Sequence, residues 1–367
     1  MKIFVTIIFL SLILIPFKDK DVSISSAKLN NPIHDLLVET ISKENIPGMI
    51  VAIIDAEGIR TIESVGVRKI GSSEKLTTDD LIHLGSCTKA MTSALLAILV
   101  QNGEITWETT LTEVFPDLKG IIHEDYYNIT LHQLVTHRAR VPANAKDWRL
   151  FQNLEIKERR VKMIEDNLTE PSQIAKGKFN YSNLGYMIAG SMAEKITGLS
   201  WEILMQDRLF EPLGMSSAGF GAPGTPDQTD QPWGHYKSAE TWQSWQVDNP
   251  EAIGPAGSVH CSFKDWAKFI SLQLPKKKSS IINHDQLSFL IDPIGDYASG
   301  WYVQERSWAN GISFFHNGSN NFWYTAVWVA PEINRAFMVG TNSYDENSFT
   351  VCDKIISKLI EIDKEFP

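Results

Sequence analysis

Cysteine is scarce in this 367-residue chain. Cys87, Cys261 and Cys352 are an odd set, so at least one thiol is unpaired and no disulfide framework holds the fold together. Cysteine and histidine nowhere fall at metal-ligand spacing, which leaves no sequence ground for a metal site. Basic residues are also in short supply, with 34 Lys+Arg against 44 Asp+Glu and a net charge of −10. The only basic run, Lys276-Lys277-Lys278, follows Pro275 and reads as a solvated loop. That balance argues against nucleic acid as a partner. Several catalytic signatures are missing too: no Gly-x-Ser-x-Gly elbow, no Walker phosphate loop and no His-Glu-x-x-His. The match Gly219-Phe-Gly221-Ala-Pro-Gly224 follows no expected strand and contains Pro223, so it reads as a loop and not a dinucleotide site.

Long apolar runs are absent after the N-terminus. There, Met1-Lys2 precedes fifteen mostly apolar residues from Ile3 to Phe17, followed by Lys18 to Asp21 and a small-residue site at Ser25-Ser26-Ala27. A spanning helix needs about 20 apolar residues, so this segment reads as a signal peptide over residues 1–27, or as an anchor if uncleaved. The chain is expected to be exported, with no membrane contact beyond that segment. What is present in quantity is core-forming: 43% hydrophobic and 10% aromatic residues can bury a large interior.

Gly48–Asp55 reads as a buried strand that Ala56-Glu57-Gly58 turns back into Arg60–Val67. Cys87–Val100 is rich in Ala, Leu and Met and stops at Gly103, the clearest helix in the chain. Further helices are expected at 131–136 behind a Thr130 cap, 155–166, 184–197 closed by Gly198, 201–210, and from Ser262 to about Leu274. Residues 219–249 show little periodicity. Strands return at 299–306, 312–316, 323–329 and 336–341, and a helix over 349–362 closes the chain. The pattern predicts an α+β fold: an antiparallel sheet built from both termini and flanked by helices, with an inserted, mainly helical lobe. A single domain over 28–367 follows, with an α/β lobe at about 34–84 and 255–367, a helical lobe at about 85–254, and a cleft between them.

Ser-x-x-Lys occurs at Ser25–Lys28, Ser72–Lys75 and Ser86–Lys89, and only Ser86 opens a strong helix. Residues three apart lie on one helix face, so the Lys89 amine can reach the Ser86 hydroxyl. A serine is a weak nucleophile until a base takes its proton, and a lysine is such a base only if burial or a neighbouring cation lowers its pKa by roughly 3 units. Tyr-x-Asn occurs at Tyr126–Asn128 and at Tyr181–Asn183, the latter just before a helix; His-x-Gly occurs at His83–Gly85 and at His316–Gly318, the latter ending a strand.

In this order, Ser86-x-x-Lys89, Tyr181-x-Asn183 and His316-x-Gly318 resemble the serine β-lactamase and penicillin-binding protein superfamily, in its class C-like branch. The segments Leu84–Ala90, Ile129–His137, Phe179–Tyr186, Phe210–Met215, Gly254–Ser258 and His316–Ser319 all look like family segments in family order. The resemblance implies the β-lactamase/transpeptidase-like fold and an acyl-enzyme on Ser86. It implies that Lys89 and Tyr181 share the proton work, in an order left open, and that Asn183 hydrogen-bonds Lys89 or the substrate amide. The N–H groups of Ser86 and Ser319 would form the oxyanion hole beside Gly318. It implies no metal or organic cofactor, and a small-molecule or peptide substrate; oligomeric state stays open.

Departures bear on the substrate. Many relatives carry Lys-Thr-Gly where this chain has His316-Asn317-Gly318, and a mostly neutral histidine holds a carboxylate less well. The segment His137-Arg-Ala-Arg-Val-Pro142 places Arg138 and Arg140 where small residues are common, as candidates for an acidic substrate group or for surface solvation. His83 and His137 read as packing residues, Cys87 as buried filler, and Trp233, Trp301 and Trp323 as core or cleft lining. The leading expectation is an exported serine hydrolase of esters or amides. A D,D-peptidase or class C-like β-lactamase is the alternative among enzymes, and a penicillin-binding sensor without turnover the alternative of another class.

Overall fold

The Gly48–Asp55 run is apolar at nearly every position because both of its faces are covered. Met49, Val51 and Ile53 join one hydrophobic cluster with Leu37 and Leu359, while Ile50, Ala52 and Ile54 join a larger one with Leu95 and Met338. Each Val, Leu, Ile or Met side chain among them contributes roughly 1.5–3 kcal/mol when fully buried. The structure, a computed structural model, describes residues 31–365 apart from 239, 240, 278 and 280. The leader expected over 1–27, and Ser25–Lys28 with it, extends outside the described residues.

Eleven strands are described: β1 (Gly48–Asp55), β2 (Gly58–Gly66), β3 (Leu81–His83), β4 (Gly219–Phe220), β5 (Gly234–Ser238), β6 (Thr241–Trp245), β7 (Val259–Ser262), β8 (Tyr302–Arg306), β9 (Gly311–Ser319), β10 (Tyr324–Ala330) and β11 (Arg335–Thr341). The main sheet runs β2-β1-β11-β10-β9-β8 with every pair antiparallel, so the two ends of the chain meet at β1 and β11. Helix α1 (Pro32–Glu44) and the terminal helix Ser348–Glu365 pack on one face through Ile33, Leu37, Ile355 and Leu359. The other face meets α2 (Thr88–Gln101) and the helical insertion. The described residues from Pro32 onward form one compact unit.

Local chemistry explains the helix ends. Thr130 and Gln133 form a reciprocal capping box, Ser182 accepts the Gly185 N–H at 2.8 Å, and Gly198 closes the Asn183–Thr197 helix at φ 78°. Several elements differ from the sequence reading, among them the small β3-β7-β4 sheet, whose strands of two to four residues are too short to show a period and one of which, β4, opens the Gly219–Gly224 match read as a loop. Helix α1 was not anticipated, because only Ile33 and Leu37 of its thirteen residues are buried and the apolar stripe is thin. The β5–β6 hairpin lies in the stretch read as aperiodic; each strand buries one or two residues, too few for an alternation to show. The short helix His284–Leu290 was missed for the same reason, with Leu290 alone buried.

Two features of this frame position the site. Strand β9 pairs with β8 only from Gly311 to Phe315, so from His316 to Ser319 that edge has no β8 partner and faces the turn preceding α2. Helix α2 is buried from Thr88 to Leu99, which carries Lys89 into the interior.

Candidate active site

Ser86 sits in a 3₁₀ turn, Gly85–Cys87, that leads directly into α2, and its side chain is partly exposed. One turn on, Lys89 is 0% exposed. Its Nζ lies 3.0 Å from Ser86 Oγ, 2.7 Å from Asn183 Oδ1 and 2.8 Å from the Ala256 carbonyl oxygen. No carboxylate is among these partners. Burial therefore pushes the Lys89 pKa down to about 7, close to half-deprotonated at neutral pH. Asn183 can only accept from Lys89 because its own Nδ2 donates to Asn144 Oδ1 at 2.8 Å.

Tyr181 lies across the lysine. Lys89 Nζ is 4.7 Å from the Tyr181 ring centroid, the Tyr181 hydroxyl shares a hydrogen bond with Ser86, and burial drives its pKa well above the ordinary value. Its ring rests on His137, with centroids 4.3 Å apart. His137 holds a left-handed backbone at φ 59°, and its Nδ1 accepts the Ser182 N–H at 3.0 Å, the packing role expected of it.

Strand β9 closes against the Ser86 turn at backbone distance. A Cβ on Gly85 would lie 2.3 Å from Ser319 N, and one on Gly318 would lie 2.6 Å from Ser86 N, so both positions require glycine. The backbone segments carrying the Ser86 and Ser319 amides thus lie side by side, next to a partly exposed serine and a buried amine. A similar close approach seats the Ala256 carbonyl: a Cβ on Gly190 of the Asn183–Thr197 helix would lie 2.5 Å from Pro255.

His316 is 1% exposed, and both of its ring nitrogens are used. Tyr297 Oη donates to Nε2 at 3.3 Å and Nδ1 donates to the Asn317 carbonyl at 2.6 Å. Burial, then the nearby Lys89, push its pKa to about 3, so no cation stands at the β9 position. The two arginines of the 137–142 segment serve the fold. Arg138 donates to the carbonyls of Thr136 and Ile294, and Arg140 pairs with Asp125 at 2.9 Å and donates to Ile174 O at 2.9 Å. Cys87, Cys261 and Cys352 are all buried free thiols, Trp301 and Trp323 are core, and Lys69 Nζ lies 3.3 Å over the ring of Trp233.

Sequence reasoning did not assign Ala256, Asn144 or Tyr297. Ala256 acts through its carbonyl, which no side chain advertises; Asn144 and Tyr297 become partners only once distant segments meet. Tyr126–Asn128 and Ser72–Lys75, the competing motif copies, are not among the partners of Lys89. Among the described residues no cluster of His, Cys, Asp and Glu could hold a metal ion, and no helix is long and apolar enough to cross a membrane.

The family profile described as Beta-lactamase matches residues 33–357. The chain belongs to the Beta-lactamase family. Within it, the chain is 23% identical over 343 residues to an unguisins hydrolase of Aspergillus campestris, covering 88% of this chain and 64% of that one. It is 26% identical over 310 residues to a β-lactamase of Escherichia coli K12, covering 80% of this chain and 75% of the relative. The D-amino acid amidase of Ochrobactrum anthropi SV3 shares the fold, with a TM-score of 0.75, 18% identity, and coverage of 92% and 99% of the two chains. The β-lactamase-like α+β architecture expected from the motifs is therefore the one found.

Proposed function

We propose that the protein is an exported serine hydrolase that cleaves an ester or amide bond through an acyl-enzyme on Ser86. The observation that carries this reading is a wholly buried lysine without an anionic partner, 3.0 Å from the hydroxyl of a partly exposed serine. A neutral amine has two N–H bonds and one lone pair. Asn183 Oδ1 and Ala256 O accept the two N–H bonds, so the lone pair is directed at Ser86 Oγ. Lys89 is thus the base, and Tyr181, held protonated by its high pKa, is the donor.

Ser86 Oγ attacks the substrate carbonyl as its proton passes to Lys89. The oxyanion that forms is stabilised by the N–H groups of Ser86 and Ser319. Tyr181 protonates the departing oxygen or nitrogen and is reprotonated by the proton that Lys89 took from Ser86. Water then attacks the acyl-enzyme with Lys89 again as base, releasing the acid and restoring Ser86. Asn183 orients Lys89 and contributes to substrate binding, and His316 and Gly318 shape the β9 side of the site.

The substrate is a small molecule or peptide. Neutral, buried His316 cannot offer a positive charge to a substrate carboxylate, which favours esters and amides without one over β-lactams and D-alanyl peptides. A leader over 1–27 and one catalytic domain over 28–367, with lobes at about 34–84 plus 255–367 and 85–254, complete the proposal. Treating the protein with a fluorophosphonate should give a mass adduct on Ser86, and Ser86→Ala should abolish ester hydrolysis. An adduct elsewhere, or turnover surviving in Ser86→Ala, would reject the mechanism. Rapid nitrocefin hydrolysis with no turnover of p-nitrophenyl esters would instead favour the β-lactamase or D,D-peptidase assignment, and stable acylation without release would favour a sensor.

A further inference from the structure

The Ser86 turn has a second support on its buried side. His83, the last residue of β3, is 0% exposed, and its Nδ1 accepts the Gly85 N–H at 3.1 Å. Its Nε2 lies 2.5 Å from Asp248 Oδ1. An acceptor at Nδ1 puts the ring proton on Nε2, where Asp248 receives it.

Asp248 is itself held at both flanks. Asn320 Nδ2 donates to the Val247 carbonyl at 3.3 Å, and Asn249 Nδ2 donates to the Gly257 carbonyl at 2.8 Å. These anchors belong to the loop after Ser319 and to the turn that carries Ala256, so the carboxylate is fixed relative to both. The other titratable group facing His83 is His260, its β3–β7 partner, whose Nδ1 is engaged with the Gly221 carbonyl at 2.9 Å and whose pKa is lowered by burial.

Gly85 has little freedom to move. It holds φ at 50°, and its Cα side faces Ser319 N so closely that a Cβ would lie 2.3 Å away. Rotation of the peptide that carries its N–H would either press on Ser319 or swing the next amide, Ser86 N–H, out of position.

We propose that His83 and Asp248 are a positioning couple: Asp248 fixes the His83 tautomer, and His83 holds the Gly85 N–H so that the Ser86 N–H stays aimed at the developing oxyanion. The couple rests on the acyl-Ser86 reading and adds to it a cause for the shape of the oxyanion hole. The logic is that of a carboxylate setting a histidine tautomer in hydrolytic triads, applied here to a residue that does not touch substrate.

The test uses full-length protein, p-nitrophenyl acetate as substrate, and active sites counted by fluorophosphonate labelling. His83→Gln reaches toward Asp248 but offers no acceptor at the Nδ1 position; kcat per labelled site should fall about 100-fold, the scale of a misplaced oxyanion donor. His83→Asn keeps an oxygen where Nδ1 was and should recover kcat to within about tenfold of the parent, and Asp248→Asn should fall about tenfold, all with KM changed less than about twofold. In ¹⁵N-histidine-labelled parent protein, the His83 Nδ1 resonance should be that of an unprotonated nitrogen and Nε2 that of a protonated one. Variants that lower the melting temperature but keep the parental kcat per labelled site, equal losses in His83→Asn and His83→Gln, or a protonated Nδ1 would each overturn the couple. A parent protein that is not labelled at Ser86 is a different result: it removes the acyl-enzyme reading, and the catalytic role of the couple with it.

Discussion

Among the described residues two cations, Lys89 and Arg160, are wholly buried, and their surroundings are opposite. Arg160 is 0% exposed and sits between two carboxylates, 2.5 Å from Glu194 and 2.6 Å from Glu202, with the carbonyls of Ala252 and Glu251 taking further N–H bonds. Its charge is kept, and it ties the Ile156–Asn167, Asn183–Thr197 and Trp201–Met205 helices to the 251–253 turn. Lys89 is equally buried but has three neutral oxygen partners and no anion. Its charged form is disfavoured. A buried cation with counter-ions is a clamp; one without is poised to give up its proton, and the serine beside it is where that proton would come from.

The sharpest way to break the comparison is to give the site a cation that cannot be discharged. Lys89→Arg should lower kcat/KM for an activated ester by about 10³-fold, because a guanidinium stays protonated and removes the base, while the fold persists by circular dichroism. Arg160→Ala should do the reverse. Leaving Glu194 and Glu202 without their partner should cost roughly 3–5 kcal/mol in denaturant unfolding, with kcat per labelled active site in the folded fraction close to that of the parent.

A subtler variant makes the catalytic site resemble the structural one. Asn183→Asp places a carboxylate 2.7 Å from Lys89 with little change of shape, raises the lysine pKa, and should move the acid limb of kcat/KM upward, with at least about tenfold loss at pH 7. Stability should carry the same signature. Between pH 7 and 10.5 the unfolded chain holds the Lys89 proton and the folded chain does not, so this group makes stability rise with pH across that window. Lys89→Met should flatten that rise in pH-dependent denaturation and leave the protein at least as stable as the parent at pH 7. The smallest effect belongs to Asn144→Ala, which frees the Asn183 amide to turn: about two- to fivefold in kcat/KM, in line with loss of one exposed hydrogen bond.

Much of this contrast was legible in the sequence on one side and not on the other. The Ser86-x-x-Lys89 spacing predicts a shared helix face, and the family resemblance implies that Tyr181 and Asn183 join it; whether Lys89 is buried was a condition the sequence left open. Lys89 lies three residues on from Ser86, in the first turn of the helix that the Ser86 turn leads into, so its contact is local. The Arg160 clamp spans residues 160, 194, 202 and 252, and Asp248 reaches back 165 residues to His83 in a stretch with no readable period. Such contacts are set by how distant segments pack and leave no pattern along the chain. The β5–β6 hairpin was hidden for a related reason, since a hairpin that buries few side chains leaves little alternation to read.

The pH dependence of Ser86 acylation is the most direct test. The second-order rate of fluorophosphonate labelling at Ser86, followed by mass spectrometry from pH 5 to 9, should rise tenfold per pH unit on the acid side and level off around pH 7, where Lys89 loses its proton. A rate that is flat down to pH 5, or one that is still rising at pH 9, would contradict a neutral Lys89 as the base.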